Sequence, residues 1–336
     1  MEQTRAQAVK KALEGTPFAS LADDLRGRWQ EIRKRVGGGV MDAGLRGVSR
    51  IAALHPLAKP ERYGIEITRD IGYGGEQRMD IYRPRSAVGN AAPILYLHGG
   101  GFRILSKDTH WGMALSFAHR GHVVFVPNYR LAPAHPFPAG AEDACRAALW
   151  VASHAREYGA DPARLVLAGE SAGANLSLVV AIARSWQRPE PWARELFDAD
   201  LAIKGLLPAC GMLQVSDPPH RGTPTGFVLD RMNVIANDYL PPGLDARSRE
   251  LVDVVSYLEC APPPERPLPP LFAICGGGDP VGRDTKRVVP AWQRHGAEAA
   301  NQFYGDAIHA FHAFVWTPLA RAAWADQHAF LVRVLT

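Results

Sequence analysis

The stretch RLVLAGESAGANLSLVVAIARSW, residues 164–186, decides the fold. Its first residues are a short apolar run with the character of a buried strand, and the residues from Ala174 onward read as a helix. Between the two stand Gly169, Glu170, Ser171, Ala172 and Gly173. A serine on so tight a strand-to-helix turn needs neighbours without side chains, so that the strained backbone is tolerated and Oγ projects at the sheet edge. The helix start also leaves the N–H of Ala172 without an intrahelical partner, aimed where an oxyanion would form. A glycine-rich turn with an incidental serine is the competing reading; the strand before and the helix after weigh against it.

The same texture repeats along the chain. PILYLH at 93–98, HVVFVP at 122–127, LAIKGLLP at 201–208 and LFAICGG at 271–277 are short apolar runs, each followed by a helical pattern. Near-continuous apolar strands separated by helices mark a parallel sheet covered on both faces. Upstream, IEITRDI from Ile65 and MDIYRP from Met79, with Gly72, Gly74 and Gly75 between them, predict an antiparallel pair leading into that sheet. Residues 1–50 read as helical, with Val9, Leu13, Phe18, Leu21, Leu25 and Trp29 spaced by three or four. The alternation breaks at 214–262, where Thr223 to Tyr239 reads as loop and helix, and the Pro-rich PPPERPLPP at 262–270 returns the chain stiffly to the core. As a PxxP ligand for a partner that run is the weaker reading.

A second signal, His98-Gly99-Gly100-Gly101-Phe102, closes the strand PILYLH. Consecutive glycines let backbone N–H groups converge on a small anion, as a tetrahedral intermediate of acyl transfer requires. A phosphate loop is the rival, but neither the Lys-Ser/Thr nor the Walker spacing follows.

These segments together resemble the hormone-sensitive-lipase-like esterases, the bacterial group called family IV. The likeness extends through Asn128-Tyr129-Arg130-Leu131-Ala132-Pro133, His135-Pro136-Phe137-Pro138-Ala139 and Glu142-Asp143-Ala144, and spans roughly residues 60–335. It implies an α/β-hydrolase fold, with a mainly parallel central sheet flanked by helices and a helical cap. The chain then divides into an N-terminal helical part of the cap (1–50), the first part of the core (51–213), a cap insertion (214–262) and the second part of the core (263–336).

In α/β-hydrolases the triad partners follow the serine in the order acid, then histidine. Asp279-Pro280-Val281-Gly282-Arg283-Asp284 is similar to the family's DPLxxD motif and so assigns the acid to Asp279; His309-Ala310-Phe311 is similar to its HxF motif and assigns the base to His309. Asp284 is expected to support the acid loop, Asp306 to be a turn residue, and His312 to lie near His309 but aimed differently. The resemblance places the oxyanion hole at Gly99, Gly100, Gly101 and Ala172, and Phe102, Phe227 and Met232 are candidate pocket residues. Two departures stand out: Glu170 where the family usually has Asp, and Ala174 where it usually has Gly.

The implied activity is hydrolysis of short to medium acyl or aryl esters through an acyl-enzyme, with no metal and no organic cofactor. An acylamidase on the same triad is the enzymatic rival. A non-catalytic ligand receptor on this scaffold is the other, and such receptors lose the histidine that here stands at His309.

Composition narrows the remaining classes. Over 336 residues the net charge is +4, with Lys and Arg interleaved with Asp and Glu, which is a solvated surface and not a nucleic-acid footprint. The densest basic stretch, RGRWQEIRKR at 26–35, reads as an amphipathic helix on the protein body. No apolar run approaches bilayer-spanning length and the N-terminus lacks the apolar core of a secretory signal, so stable membrane insertion is not expected. Cys145, Cys210, Cys260 and Cys275 lie far apart and read as buried thiols in a reducing compartment, which predicts a cytoplasmic protein. The partner expected is a small-molecule ester; the sequence leaves monomer and homodimer open.

Overall fold

The alternating segments from Ile65 form a hairpin, β1 (Ile65–Gly74) and β2 (Gln77–Pro84), paired antiparallel. Six further strands follow in this computed structural model, which describes residues 43, 44, 47, 49, 59–217, 227–315 and 317–336. They are β3 (Pro93–Leu97), β4 (Val123–Pro127), β5 (Leu165–Glu170), β6 (Ile203–Ala209), β7 (Leu271–Gly276) and β8 (Ala299–Tyr304). The chain separates into two compact units, residues 1–44 and Leu45–Thr336, and the sheet lies in the second. The helical cap element expected over 1–50 lies outside the described residues, apart from isolated positions.

The strands make one sheet in the order β1-β2-β4-β3-β5-β6-β7-β8. β2 meets β4 antiparallel, and every pair from β4 to β8 is parallel. Every residue of β3, β4 and β5 is buried, as their unbroken apolar runs predict. The alternation of the pleat sends Leu95, Leu97, Phe125 and Leu167 to one face, against Val179 and Val180, and Ile94, Val124, Val126 and Val166 to the other, with Phe117, Trp324 and Phe330. The helix Ala172–Ser185 is itself buried almost all round, which explains its continuous apolar texture.

From β3 the chain order runs one way to β4 and the other way to β5, so the sheet switches direction between these neighbours. Loops leaving the carboxyl ends of adjacent strands on either side of such a switch splay apart and frame a crevice. The glycine loop leaves β3 there and the serine turn leaves β5. The segment after β4 braces the same place: Tyr129 Oη donates to the carbonyl of His98 at 2.8 Å, and the buried Asp143 accepts from the main chain and guanidinium of Arg130 at 2.8 and 2.9 Å.

Between β6 and β7 lie the helices Phe227–Tyr239, Ala246–Arg249 and Val254–Cys260. Buried polar groups pin this excursion to the core. Asn175 Nδ2 donates to the carbonyls of Met212 and Val252 at 3.0 and 2.9 Å, and Asp253 accepts from the N–H groups of Val215 and Ser216 at 2.8 and 2.9 Å. Among the described residues no helix is long and apolar enough to cross a membrane.

Candidate active site

Ser171 sits at the end of β5 with φ 53° and ψ −112°, a conformation unfavourable for a residue with a side chain. The surroundings enforce it. Its N–H donates to the carbonyl of Ala209 at 2.8 Å, and its own carbonyl accepts from Asn175 and Met212 at 3.2 and 3.3 Å. A side chain at Gly173 would collide with the carbonyl oxygen of Leu97, so the helix can approach β3 this closely only with glycine there.

The glycine loop turns sharply after β3. Gly100 has φ +112°, and a side chain on it would strike the carbonyl of Ile104. That carbonyl belongs to the turn closed by the N–H groups of Arg103 and Ile104 on Gly100, both 3.1 Å. Gly99 donates its N–H to His110 Nε2 at 3.1 Å, so this donor is already committed and is removed from the expected oxyanion set. Among the described residues, none accepts from the N–H of Gly100, Gly101 or Ala172.

His309 Nδ1 lies 3.0 and 2.9 Å from the two oxygens of Asp279. The pair is asymmetric in exposure: the Asp279 side chain is fully buried, whereas the His309 side chain is 36% exposed. Burial works to raise the Asp279 carboxyl, but the His309 hydrogen bond and charge outweigh it, with the Val281 N–H and the Cys210 thiol adding, and the group is held below its ordinary value. For His309, crowding disfavours the charged ring, yet Asp279 and then the charge of Glu170 prevail and raise it above the ordinary 6.5. Asp284 is buried and accepts from the N–H groups of Leu213 and Gln214 at 2.8 and 2.9 Å, so it anchors the strand exit after β6; burial pushes its carboxyl up to about 6.

The candidate pocket residues are distributed unequally. Phe102 is buried with its ring stacked on Tyr239 at 3.8 Å, and Met232 is 8% exposed on the helix Phe227–Tyr239. Phe227 opens that helix, and its side chain lies outside what the structure describes. The helix rests on the glycine loop: Ile235 is close enough that a side chain at Gly101 would meet it at 2.5 Å, and Arg103 pairs with Asp238 at 2.6 Å.

Sequence reasoning missed three features. Cys210 follows β6 with φ 49°, and its Sγ, an Asp279 oxygen and a His309 nitrogen all lie within 4.8 Å of one another. Such a trio has the donor types of a metal site, although His309 Nδ1 and both Asp279 oxygens are already joined by hydrogen bonds. His110 and His312 are both buried against Glu170, at 3.7 and 3.3 Å. His312 was expected near His309, but its meeting with Glu170 and His110 was not legible, because the three residues come together only through the sheet; the longer carboxylate at position 170 was the other visible signal.

Comparison with known proteins identifies the fold family. Residues 94–313 match the family model described as alpha/beta hydrolase fold. Carboxylesterase NlhH of Mycobacterium tuberculosis is 32% identical over 220 residues, 64% of this chain and 66% of that protein. Esterase LipI of the same organism is 42% identical over 125 residues, 36% of this chain and 39% of that protein. The chain thus matches less than two-thirds of the length of these curated relatives. A hyperthermophilic esterase from the archaeon Pyrobaculum calidifontis superposes with a TM-score of 0.71 at 25% identity, over 89% of this chain and 92% of that one. With the serine turn, the glycine loop and the Asp279–His309 pair at one end of one sheet, the chain belongs to the α/β-hydrolase fold family, in its hormone-sensitive-lipase-like branch.

Proposed function

We propose that the protein is a serine carboxylesterase that cleaves short to medium acyl or aryl esters through an acyl-enzyme. The observation that carries this is the Asp279–His309 pair, with Nδ1 held by the carboxylate and the ring edge exposed, in a fold that sets Ser171 on a strained turn. With Nδ1 so engaged, Nε2 is the nitrogen left to take the proton from Ser171 Oγ as it attacks the ester carbonyl. Asp279 fixes the tautomer and stabilises the imidazolium. The N–H groups of Gly100, Gly101 and Ala172 receive the oxyanion, and His309 then protonates the leaving alcohol. Water repeats the attack on the acyl-Ser171 to release the acid.

The helices within 214–262 act in this proposal as a cap that bounds the acyl pocket, since Phe227–Tyr239 rests on the glycine loop. Each methylene accepted contributes about 0.8 kcal/mol until the chain meets that wall. All four cysteines carry free thiols, in keeping with a reducing cytoplasm as the working location; Cys145, Cys210 and Cys275 are buried as expected, whereas Cys260, at the end of the helix Val254–Cys260, is exposed. The test is a panel of p-nitrophenyl esters of increasing acyl length beside matched anilides. Turnover rising from acetyl to about butyryl or hexanoyl and then falling supports the reading. Comparable turnover of anilides would favour the acylamidase, and best activity on water-insoluble long-chain triglycerides would contradict the closed pocket.

A further inference from the structure

Directly behind the serine lies a second group of buried ionisable side chains that the proposed reaction does not use. Glu170, His110 and His312 are 5%, 2% and 1% exposed. Each comes from a different catalytic loop or its support. Glu170 is the last residue of β5 and precedes Ser171. His312 lies in the short turn Phe311–Ala313, three residues after His309, and that turn is fastened by Trp324 Nε1 donating to the His312 carbonyl at 2.9 Å. His110 supports the glycine loop by accepting the Gly99 N–H on Nε2 at 3.1 Å.

The contacts fix who bonds to whom. Because His110 Nε2 accepts from Gly99, its proton sits on Nδ1, which reaches Thr109 Oγ1 at 2.9 Å and the Ser106 carbonyl at 3.2 Å. The 3.7 Å approach of Nε2 to Glu170 is therefore a packing contact and not an ion pair. His312 Nε2 lies 3.3 Å from Glu170 Oε2, within ion-pair range although off the axis of a well-formed hydrogen bond. Glu170 Oε1 packs on Gly99 so closely that a side chain there would meet it at 2.7 Å. One carboxylate thus touches the glycine loop, the serine strand and the histidine loop.

We infer that Glu170 is a positioning residue that sets the register of the three catalytic loops and, through His312, the seat of His309. This rests on the esterase reading. Its charge also acts on the imidazole of His309. The groups that face Glu170 are His110, His312 and His309, with Tyr96 and Tyr129 from the sheet side; those that face His309 are Asp279, Cys210, Glu170 and His312. Removing the negative charge at 170 leaves Asp279 as the one carboxylate among these supporting the imidazolium.

The test compares wild type, Glu170→Gln, Glu170→Asp and His312→Asn, each titrated with paraoxon so that turnover is expressed per reactive serine. For Glu170→Gln, kcat per titrated site should fall about ten- to a hundredfold with KM within about twofold, the scale of a misplaced catalytic geometry. The acidic limb of its kcat/KM profile should move to lower pH. Glu170→Asp keeps the charge and should leave that limb in place. His312→Asn should lower kcat several-fold, and it carries the test alone if Glu170→Gln does not fold. A titratable serine with wild-type kcat and an unmoved limb in Glu170→Gln, or wild-type kcat in His312→Asn, would overturn the inference. Failure of wild type to react with paraoxon would instead overturn the esterase reading.

Discussion

Two carboxylate–imidazole pairs stand within one site, Asp279–His309 and Glu170–His312, and they are built for different ends. In the first, both carboxylate oxygens lie 2.9–3.0 Å from Nδ1 and the histidine side chain is 36% exposed. In the second, the approach is 3.3 Å and off-axis, and the histidine is sealed at 1%. Burial pushes His312 below its ordinary value, whereas the partners of His309 raise it. An imidazole does proton transfer only when one nitrogen is held and the other is left facing the reacting atoms. In the proposed reaction the first pair serves that purpose, with Nδ1 held by Asp279 and the ring edge exposed; the second is sealed from solvent, and neither of its imidazole nitrogens makes a well-formed hydrogen bond.

The largest effect on this contrast is expected at the proposed triad. Ser171→Ala should leave less than about a thousandth of the ester hydrolysis with the fold intact, because a small residue suits the turn, and His309→Ala should fall comparably. Asp279→Asn should cost about three to four orders of magnitude in kcat, far more than Glu170→Gln, which separates the two carboxylates by role. If the two substitutions cost the same, the pairs are not different in kind.

The pH profile sharpens the contrast further. His309 must be neutral to accept the serine proton, and its value is raised, so kcat/KM should fall as pH drops through a point above histidine's ordinary 6.5. A limb at or below 6.5 would mean that the two carboxylates do not act on His309 as described.

Smaller effects test the supports. Asp284→Ala strands the buried N–H of Leu213 and the part-buried N–H of Gln214, and should lower the unfolding free energy by about 1–3 kcal/mol, read as a drop in Tm. Breaking Arg103–Asp238 with Asp238→Ala should cost about 1 kcal/mol or less, since the pair is partly exposed. A larger loss of kcat than of stability there would tie the helix Phe227–Tyr239 to the chemistry.

Legibility followed contact range. Ser171, with its glycines, was readable because a strained turn imposes its demands on adjacent residues. The buried strands were readable because both faces are covered. β8 was not: Ala299–Tyr304 alternates exposed and buried positions at the sheet edge and carries Asn301 and Gln302, so its apolar signal is weak. Gly99 shows the limit of a motif, since its N–H is claimed by His110, eleven residues away. His312, Cys210 and Asp253 were opaque for the same reason: their partners lie on other strands and loops, and only the topology brings them together.

Covalent labelling shows whether Ser171 is the nucleophile of an acyl-transfer site. Wild-type protein incubated with paraoxon, then measured by intact mass and peptide mapping, should carry a single diethylphosphoryl group per chain, on Ser171. Ser171→Ala should carry none, and Asp279→Asn should label far more slowly. A label on another residue, or undiminished ester hydrolysis in a protein whose Ser171 stays unmodified, would contradict the account.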